Sequence, residues 1–361
     1  MISNQILQNT IDGVKKISTA DCCVTDTEGT ILASSFSLPE NVLTAVPSFV
    51  DSRADSQVVA GYRFMRVMDN RETEYTLIMD GSKCDDTVCK LVAFQLQSLL
   101  EAYQERFDQD NFIKNLLLDN LLLVDIYNRA KKLHIDSQCK RVVYLIETTG
   151  EHEASDADCL RELFTDRKTK DFVTSIDENS IVVVKELSEG DSHEELSAVA
   201  QQIYDALHAE DREPRIAYGN VVKELREVSK SYKEARMSME VGKIFFEEKA
   251  ISAYSKLGIG RLIYQLPIPL CKMFIKEVFH NVSPDSFDEE TLMTIDKFFE
   301  NNLNVSETSR QIFIHRNTLV YRLDKLQKTT GLDLRVFEDA ITFKIAMMVV
   351  KYMKHMETEE Y

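Results

Sequence analysis

The 361-residue sequence holds no tryptophan, only 6 prolines and 11 glycines, and no cysteines spaced CxxC. So little proline and glycine excludes collagen-like and low-complexity chains. An apolar fraction of 44% is too high for a disordered one. Long apolar runs are also missing: the richest stretch, residues 116–124, is broken by Asp119 and falls short of the ~18 residues a membrane span needs. No basic stretch, apolar run and cleavage site follow one another at the start, so no signal peptide is expected. The seven cysteines (Cys22, Cys23, Cys84, Cys89, Cys139, Cys159 and Cys271) are odd in number and scattered. They are expected as reduced thiols packed as small hydrophobes, with no metal and no cofactor. Basic residues are in deficit, 43 against 60 acidic for a net charge of −17. That excludes a protein coating nucleic acid or anionic membrane over its whole surface, and leaves room for a basic patch on one module. With neither a membrane span nor a signal peptide a cytoplasmic protein is expected, and the length suggests two or three domains.

Hydrophobic spacing sets out the order of elements. Residues 2–17 carry Ile6, Leu7, Ile11, Val14 and Ile17 near one helical face. Strand-like runs at 22–25 and 30–34 flank Asp26-Thr27-Glu28-Gly29, where glycine supplies the positive φ of a tight hairpin. A second hairpin, 57–68 with 74–80, is read around Asp69-Asn70-Arg71, after a stretch read as irregular. Helix, hairpin, irregular segment, hairpin outlines a small α/β sensor domain of PAS-like form. On its second hairpin Tyr62, Arg63, Arg66 and Tyr75 are candidates to orient an anionic effector, since arginine grips carboxylates in a fork. Strict alternation puts Tyr62, Phe64 and Arg66 on one face, with Arg63 and Met65 on the other. Both arginines then serve one pocket only through a bulge, and solvent-facing sheet arginines are the alternative.

Residues 85–134 contain neither glycine nor proline and read as continuous helix, a connector and dimerisation segment or, alternatively, intradomain core. Strand runs at 141–147, 171–176, 180–187 and 215–218 then alternate with helical ones at 157–165, 194–210 and 224–248. That order gives a ferredoxin-like or cyclase-like α/β sandwich. Beyond Pro269 the chain reads as helical, with a loop over 281–288.

The segment 292–330 carries the chemistry. Asn304 is placed to cap a short helix over 305–312, and a longer helix starts at His315–Arg316 and runs to about residue 328. Leu319, Leu323 and Leu326 lie at i, i+4 and i+7, facing inward against Val305, Ile312 and Phe313, with Ser309 where two helices cross closely. This is helix-turn-helix spacing. The opposite face presents Arg316, Asn317, Val320 and Tyr321, flanked by Thr318, Arg322 and Lys325. These types match major-groove edges: Arg on guanine, Asn on adenine, an aliphatic group on the thymine methyl. His315 either meets phosphate or caps the helix. Over 304–330, five basic residues oppose two acidic ones, a local +3 on a remainder of −20. A positive island of this kind is the footprint of one module meeting phosphate, or else the solvated face of a basic helix.

At this point the sequence resembles a known family. Residues 304–334, NVSETSRQIFIHRNTLVYRLDKLQKTTGLDL, look like the C-terminal helix-turn-helix of PucR/CdaR-type transcriptional regulators, with the core His315–Leu319 and Tyr321–Leu323. SYKEARMSMEVGK (231–243) and SAYSKLGIGRLIYQL (252–266) are similar to that family's degenerate GGDEF-like middle domain. ISNQILQNTIDGVKKIS and VTDTEGTILASS are similar to its diacid-sensing domain. Two departures stand out: SFSLPENVLTAV replaces an Arg- and His-containing segment, and Val320 replaces a basic residue. The resemblance implies a ligand-responsive, sequence-specific DNA-binding regulator, a homodimer on double-stranded DNA with a small-molecule effector.

Enzyme motifs are missing. The middle hairpin reads IDENSIVVV, without the glycines of GG(D/E)EF; no GxxxxGK(S/T), HExxH or GxSxG occurs, and Gly258-Ile259-Gly260 reads as a turn. A non-enzyme is expected. The architecture is α+β multidomain: a sensor over 1–84, a helical connector over 85–136, a GGDEF-like non-catalytic domain over 137–256, a helical linker over 257–287, and an all-α helix-turn-helix domain over 288–361. Two other readings are a signalling protein that binds a nucleotide without cyclising it, and a protein-interaction adaptor.

Overall fold

The computed structural model describes every residue except 1, 53, 70–71, 83, 149–152, 165–169, 178, 189–192, 211, 281–285 and 360–361, and the side chains of 153, 154, 193 and 359. The expected turn centre at Asn70-Arg71, Glu178 of the middle hairpin, Thr165 and most of the 281–288 loop therefore lie outside the described residues. The chain divides into two compact units, Met1–Phe112 and Ile113–Tyr361.

In the first unit, α1 (Asn4–Ser18) buries Leu7 and Ile11, one turn apart. Strands β1 (Cys22–Thr25) and β2 (Ile31–Ser34) pair antiparallel, followed by α2 (Glu40–Leu43) and α3 (Val46–Asp51) within the stretch read as irregular. The run read as one strand, 57–68, is two: β3 (Ser56–Val59) and β4 (Tyr62–Asp69). Ala60 (φ 49°) and Gly61 (φ 87°) turn the chain between them. Two adjacent positive φ values make a tight hairpin whose twist suits the flanking strands. β5 (Glu72–Asp80) completes an antiparallel sheet in the order β2-β1-β5-β4-β3, and α4 (Asp86–Leu117) follows.

Side-chain alternation sorts this sheet into two cores. Cys22, Val24, Val67, Leu77 and Met79 pack with Leu7 and Ile11 of α1 and with Cys89, Val92, Leu96 and Leu100 of α4. Cys23, Phe64 and Ile78 pack with Val42, Val46 and Phe49 of α2 and α3. In the β1–β2 turn, Asp26 accepts the N–H of Glu28 and Thr30 at 2.9 and 2.7 Å. Gly29 has φ 90°, and a Cβ there would lie 2.7 Å from the Leu43 carbonyl oxygen.

The helix expected to continue to residue 134 stops at Leu117. Asp119 adopts φ 61°, a conformation aspartate tolerates better than most, and the Asn120 N–H closes the end on the Asn115 carbonyl at 2.9 Å. The Asp119 carboxylate accepts Lys233 Nζ at 2.6 Å. After this break the chain re-enters helix as α5 (Leu123–Lys132).

The second unit continues through β6 (Arg141–Glu147), α6 (Glu153–Leu163), β7 (Phe172–Asp177), β8 (Ser180–Glu186), α7 (His193–His208), β9 (Arg215–Tyr218), α8 (Val228–Phe245) and β10 (Ile251–Ala253). The sheet order is β10-β9-β6-β8-β7, with only β10–β9 parallel among its pairs. β6-α6-β7-β8-α7-β9 is the ferredoxin-like order expected from the sequence. One sheet face packs on α6 and α7 through Tyr144, Ile146, Val183, Leu160, Ala200 and Ile203. α8 presses on the other. Ser231 Oγ accepts the Val143 N–H at 3.1 Å and donates to the Asn220 carbonyl at 2.8 Å. A Cβ on Gly219 would lie 2.1 Å from the Ser231 carbonyl oxygen, so only glycine permits this approach.

The remainder is helical: α9 (Gly260–Ile263), α10 (Ile268–Phe279), α11 (Glu289–Glu300), α12 (Val305–Gln311), α13 (Arg316–Thr330) and α14 (Phe337–Glu359). α14 works on two faces. Phe343 and Ala346 join Phe279, Ile295, Phe298 and the leucines of α13, while Val349 and Tyr352 pack on Ile244, Ile263 and Cys271. No helix among the described residues is long and apolar enough to cross a membrane.

Candidate nucleic-acid interface

The site is built from caps inward. Asn304 Oδ1 accepts the N–H of Ser306 and Glu307 at 3.0 and 3.1 Å, starting α12 where its sequence predicts. α12 and α13 cross at Ser309, which is nearly buried and satisfies its hydroxyl on the Ser306 carbonyl at 3.0 Å. His315 is the N-cap of α13, its Nδ1 accepting the Asn317 N–H at 3.3 Å. Gly331 (φ 82°) ends that helix in the left-handed region. Leu319, Leu323 and Leu326 are buried against Phe298 and Phe343, as their spacing requires.

Burying that stripe turns the rest of α13 outward. His315, Arg316, Asn317, Thr318, Tyr321, Lys325 and Lys328 are exposed, and Val320 is half-buried. Asn317, Tyr321 and Lys328 follow one line down the helix at i, i+4 and i+11. Arg316, Lys325 and Lys328 make no ion pair among the described residues. The other cations of the region are engaged. Arg310 pairs with Glu307 at 2.8 Å. Arg322 turns to α11, donating to Thr294 Oγ1 at 3.0 Å and pairing with Glu290. Arg335 bridges Asp324 and Asp333 at 2.9 and 2.7 Å, and its hydrogen bond holds the Asp333 carboxyl below the ordinary carboxylate range. At the head of α11, the hydrogen bonds from Thr291 likewise lower Asp288. The positive surface thus narrows to three exposed side chains on α13.

One residue sits opposite to its expected place. Sequence spacing places Phe313 on the inner face with Val305 and Ile312; in the structure it is 95% exposed. Val305, Ile312 and Ile314 do pack on the core. Phe313 has φ 55°, and the turn throws the middle side chain of Ile-Phe-Ile outward while its neighbours point in. A three-residue alternation in a turn was the available signal; helical periodicity hid it.

The four effector candidates of the first unit do not meet in one cavity. Arg66 is consumed by the backbone, donating to the carbonyls of Ala54 (2.8 Å), Phe49 (3.0 Å), Val50 (3.2 Å) and Ser52 and to Thr73 Oγ1, with its guanidinium over the Phe49 ring. Arg63 lies on the other sheet face and pairs with Asp86 at the start of α4. Tyr75, buried on that same face, accepts the Ile2 N–H at 3.1 Å, and burial pushes its hydroxyl pKa up. Tyr62 stacks on Phe36. A bulge does occur in β4, but between Val67 and Met68, beyond both arginines. Sequence reasoning missed a second feature of this unit. Thr25 and Thr76, cross-strand neighbours, are fully buried with hydroxyls that find no partner among the described residues.

Comparison with known proteins matches residues 291–349 to the PucR C-terminal helix-turn-helix domain and residues 120–241 to the GGDEF-like domain. Among similar proteins are the carbohydrate diacid regulator of Escherichia coli (strain K12), 25% identical over 67% of this chain and 66% of its own, and the purine catabolism regulatory protein of Bacillus subtilis (strain 168), 24% identical over 36% and 24%. The matches thus span less than two thirds of either relative's length. A solved structure, the regulator of polyketide synthase expression from Bifidobacterium adolescentis, aligns with 69% of this chain and 98% of its own at TM-score 0.33 and 14% identity. A GGDEF-like domain followed by the PucR C-terminal helix-turn-helix domain, together with these relatives, supports a PucR/CdaR-type regulator.

Proposed function

We propose that this protein is a DNA-binding transcriptional regulator that reads a duplex with α13 and answers a small-molecule effector through its N-terminal unit. The observation that carries the reading is the outward face of α13. Arg316, Asn317, Thr318 and Tyr321 stand exposed over the first turns of α13, the end from which helix-turn-helix proteins reach base edges, and Lys325 and Lys328, like Arg316 without an ion pair among the described residues, stand exposed farther along it. Arg316 and Asn317 are the base-reading candidates, Lys325 and Lys328 the phosphate contacts. Two similar proteins are named carbohydrate diacid regulator and purine catabolism regulatory protein, and a metabolic setting of that kind supports a small metabolite as the effector here. The middle domain keeps the ferredoxin-like scaffold with IDENSIVVV in its hairpin, and its role is structural coupling rather than catalysis.

One recognition helix reads few base pairs, so the protein acts as a homodimer whose helices meet half-sites one helical turn apart, ~34 Å. The test is selection from a random duplex library with the full chain, followed by footprinting. Two half-sites spaced by about 10 base pairs are expected. Failure to enrich any duplex at low salt would leave the adaptor reading standing instead.

A further inference from the structure

Phe313 occupies the tip of the α12–α13 turn, two residues before the His315 cap, and is the most exposed large hydrophobic side chain among the described residues, at 95%. A single exposed apolar residue needs no explanation by itself. Phe313 also holds φ 55°, a region L side chains enter at a cost and bulky ones least of all. Glycine would avoid both penalties. Nor does the ring serve the turn: the chain is closed there by backbone, with the Phe313 N–H donating to the Arg310 carbonyl at 3.3 Å and the Ile314 N–H to the Ser309 carbonyl at 3.0 Å. Folding therefore gives no reason for an aromatic at this position.

Its place gives one. Phe313 lies in the turn that leads into exposed His315, Arg316 and Asn317, at the end of α13 where base contacts concentrate. An apolar side chain in the major groove has a natural partner in the thymine C5-methyl group. We propose that Phe313 is a DNA-contacting, specificity-determining residue whose ring packs on a thymine methyl at the edge of the base pairs read by α13. The proposal rests on the reading of α13 as the recognition helix.

The experiment uses the full chain and a duplex enriched by the wild type from a random library, with affinity followed by fluorescence anisotropy across a salt series. Phe313→Gly and Phe313→Asn both admit the left-handed backbone and remove the ring. Each is expected to melt at or above the wild-type temperature, bind roughly tenfold more weakly, and keep the wild-type salt slope, because no phosphate contact is lost. Replacing thymine by deoxyuridine in the duplex is expected to weaken the wild type and leave Phe313→Gly unchanged. Wild-type affinity in both variants overturns the proposal, as does a loss that deoxyuridine does not reproduce. Unchanged DNA binding with reduced self-association makes the ring a contact between copies and overturns it too. Arg316→Ala separates the two levels: if it binds as tightly as wild type, or if the wild type binds no duplex, the recognition-helix reading itself has failed.

Discussion

Arg316 and Arg322 lie six residues apart on one helix and carry the same charge, yet the structure assigns them different work. Arg322 is mostly shielded, pairs with Glu290 and donates to the buried Thr294 hydroxyl. Glu290 is 64% exposed, which limits the ion pair to about 1 kcal/mol or less. The hydrogen bond to Thr294 adds about 1 kcal/mol. Thr294 keeps its other bond, to the Glu290 carbonyl at 2.7 Å, so Arg322→Ala strands no buried group. Its cost is then about 1–2 kcal/mol, lowering the melting temperature by roughly 2–8 °C for a unit of this size. Its effect on the salt dependence of DNA binding is expected to be small, because the guanidinium is already spoken for. Arg316→Ala should show the reverse: stability within about 0.5 kcal/mol of wild type, and DNA affinity lower by about 1–3 kcal/mol. Circular-dichroism melts and anisotropy titrations between low and moderate salt measure both. A salt slope that falls by about one in Arg322→Ala with an unchanged melting temperature would show that Arg322 abandons Glu290 for phosphate, and the assignment would be refuted.

Three further outcomes follow from packing. Leu319→Ala, at the fully buried centre of α13, should cost about 2–5 kcal/mol by leaving a cavity against Phe298 and Phe343; a chemical-denaturation midpoint close to wild type would contradict this. Arg141 is fully buried, donates to Glu186 at 3.1 Å, and leaves Nε and Nη1 without partners among the described residues. Glu186→Ala should therefore destabilise by about 3–5 kcal/mol, whereas the double replacement Arg141→Met with Glu186→Leu should be neutral or stabilising. Equal losses in the two variants would contradict that reading. Thr25→Val and Thr76→Val each remove a buried hydroxyl that has no partner, and each should raise the melting temperature of the effector-free protein. A fall in both would mean the hydroxyls are satisfied.

How far the sequence carries the structure depends on whether the signal is local. The i, i+4, i+7 leucines of α13 and the Asn304 cap are local, and both appear where expected. So is the order of strands and helices in the middle domain. The break at Asp119 was hidden because neither glycine nor proline marks it; Lys233, more than a hundred residues later, is the partner that receives its carboxylate. The split of residues 57–68 into two strands was hidden because one of the two turn positions is Ala60, an L residue whose type does not announce the positive φ it holds beside Gly61. At the interface the residue types were legible, but not which cations are taken. Glu290 sits thirty-two residues before Arg322, and only the packing of α11 on α13 brings them together. Phe313 failed for the opposite reason: its apolar character was read correctly, and the turn reversed its direction.

The central claim is that α13 enters the major groove. Dimethyl sulfate marks both grooves at once, methylating guanine N7 in the major groove and adenine N3 in the minor one. Methylation interference on the selected duplex therefore tests the claim most directly. Interference at guanine N7 within each half-site is predicted, with one such position lost in Arg316→Ala and adenine N3 without effect. Interference confined to adenine N3, or insensitivity to guanine N7, would contradict it.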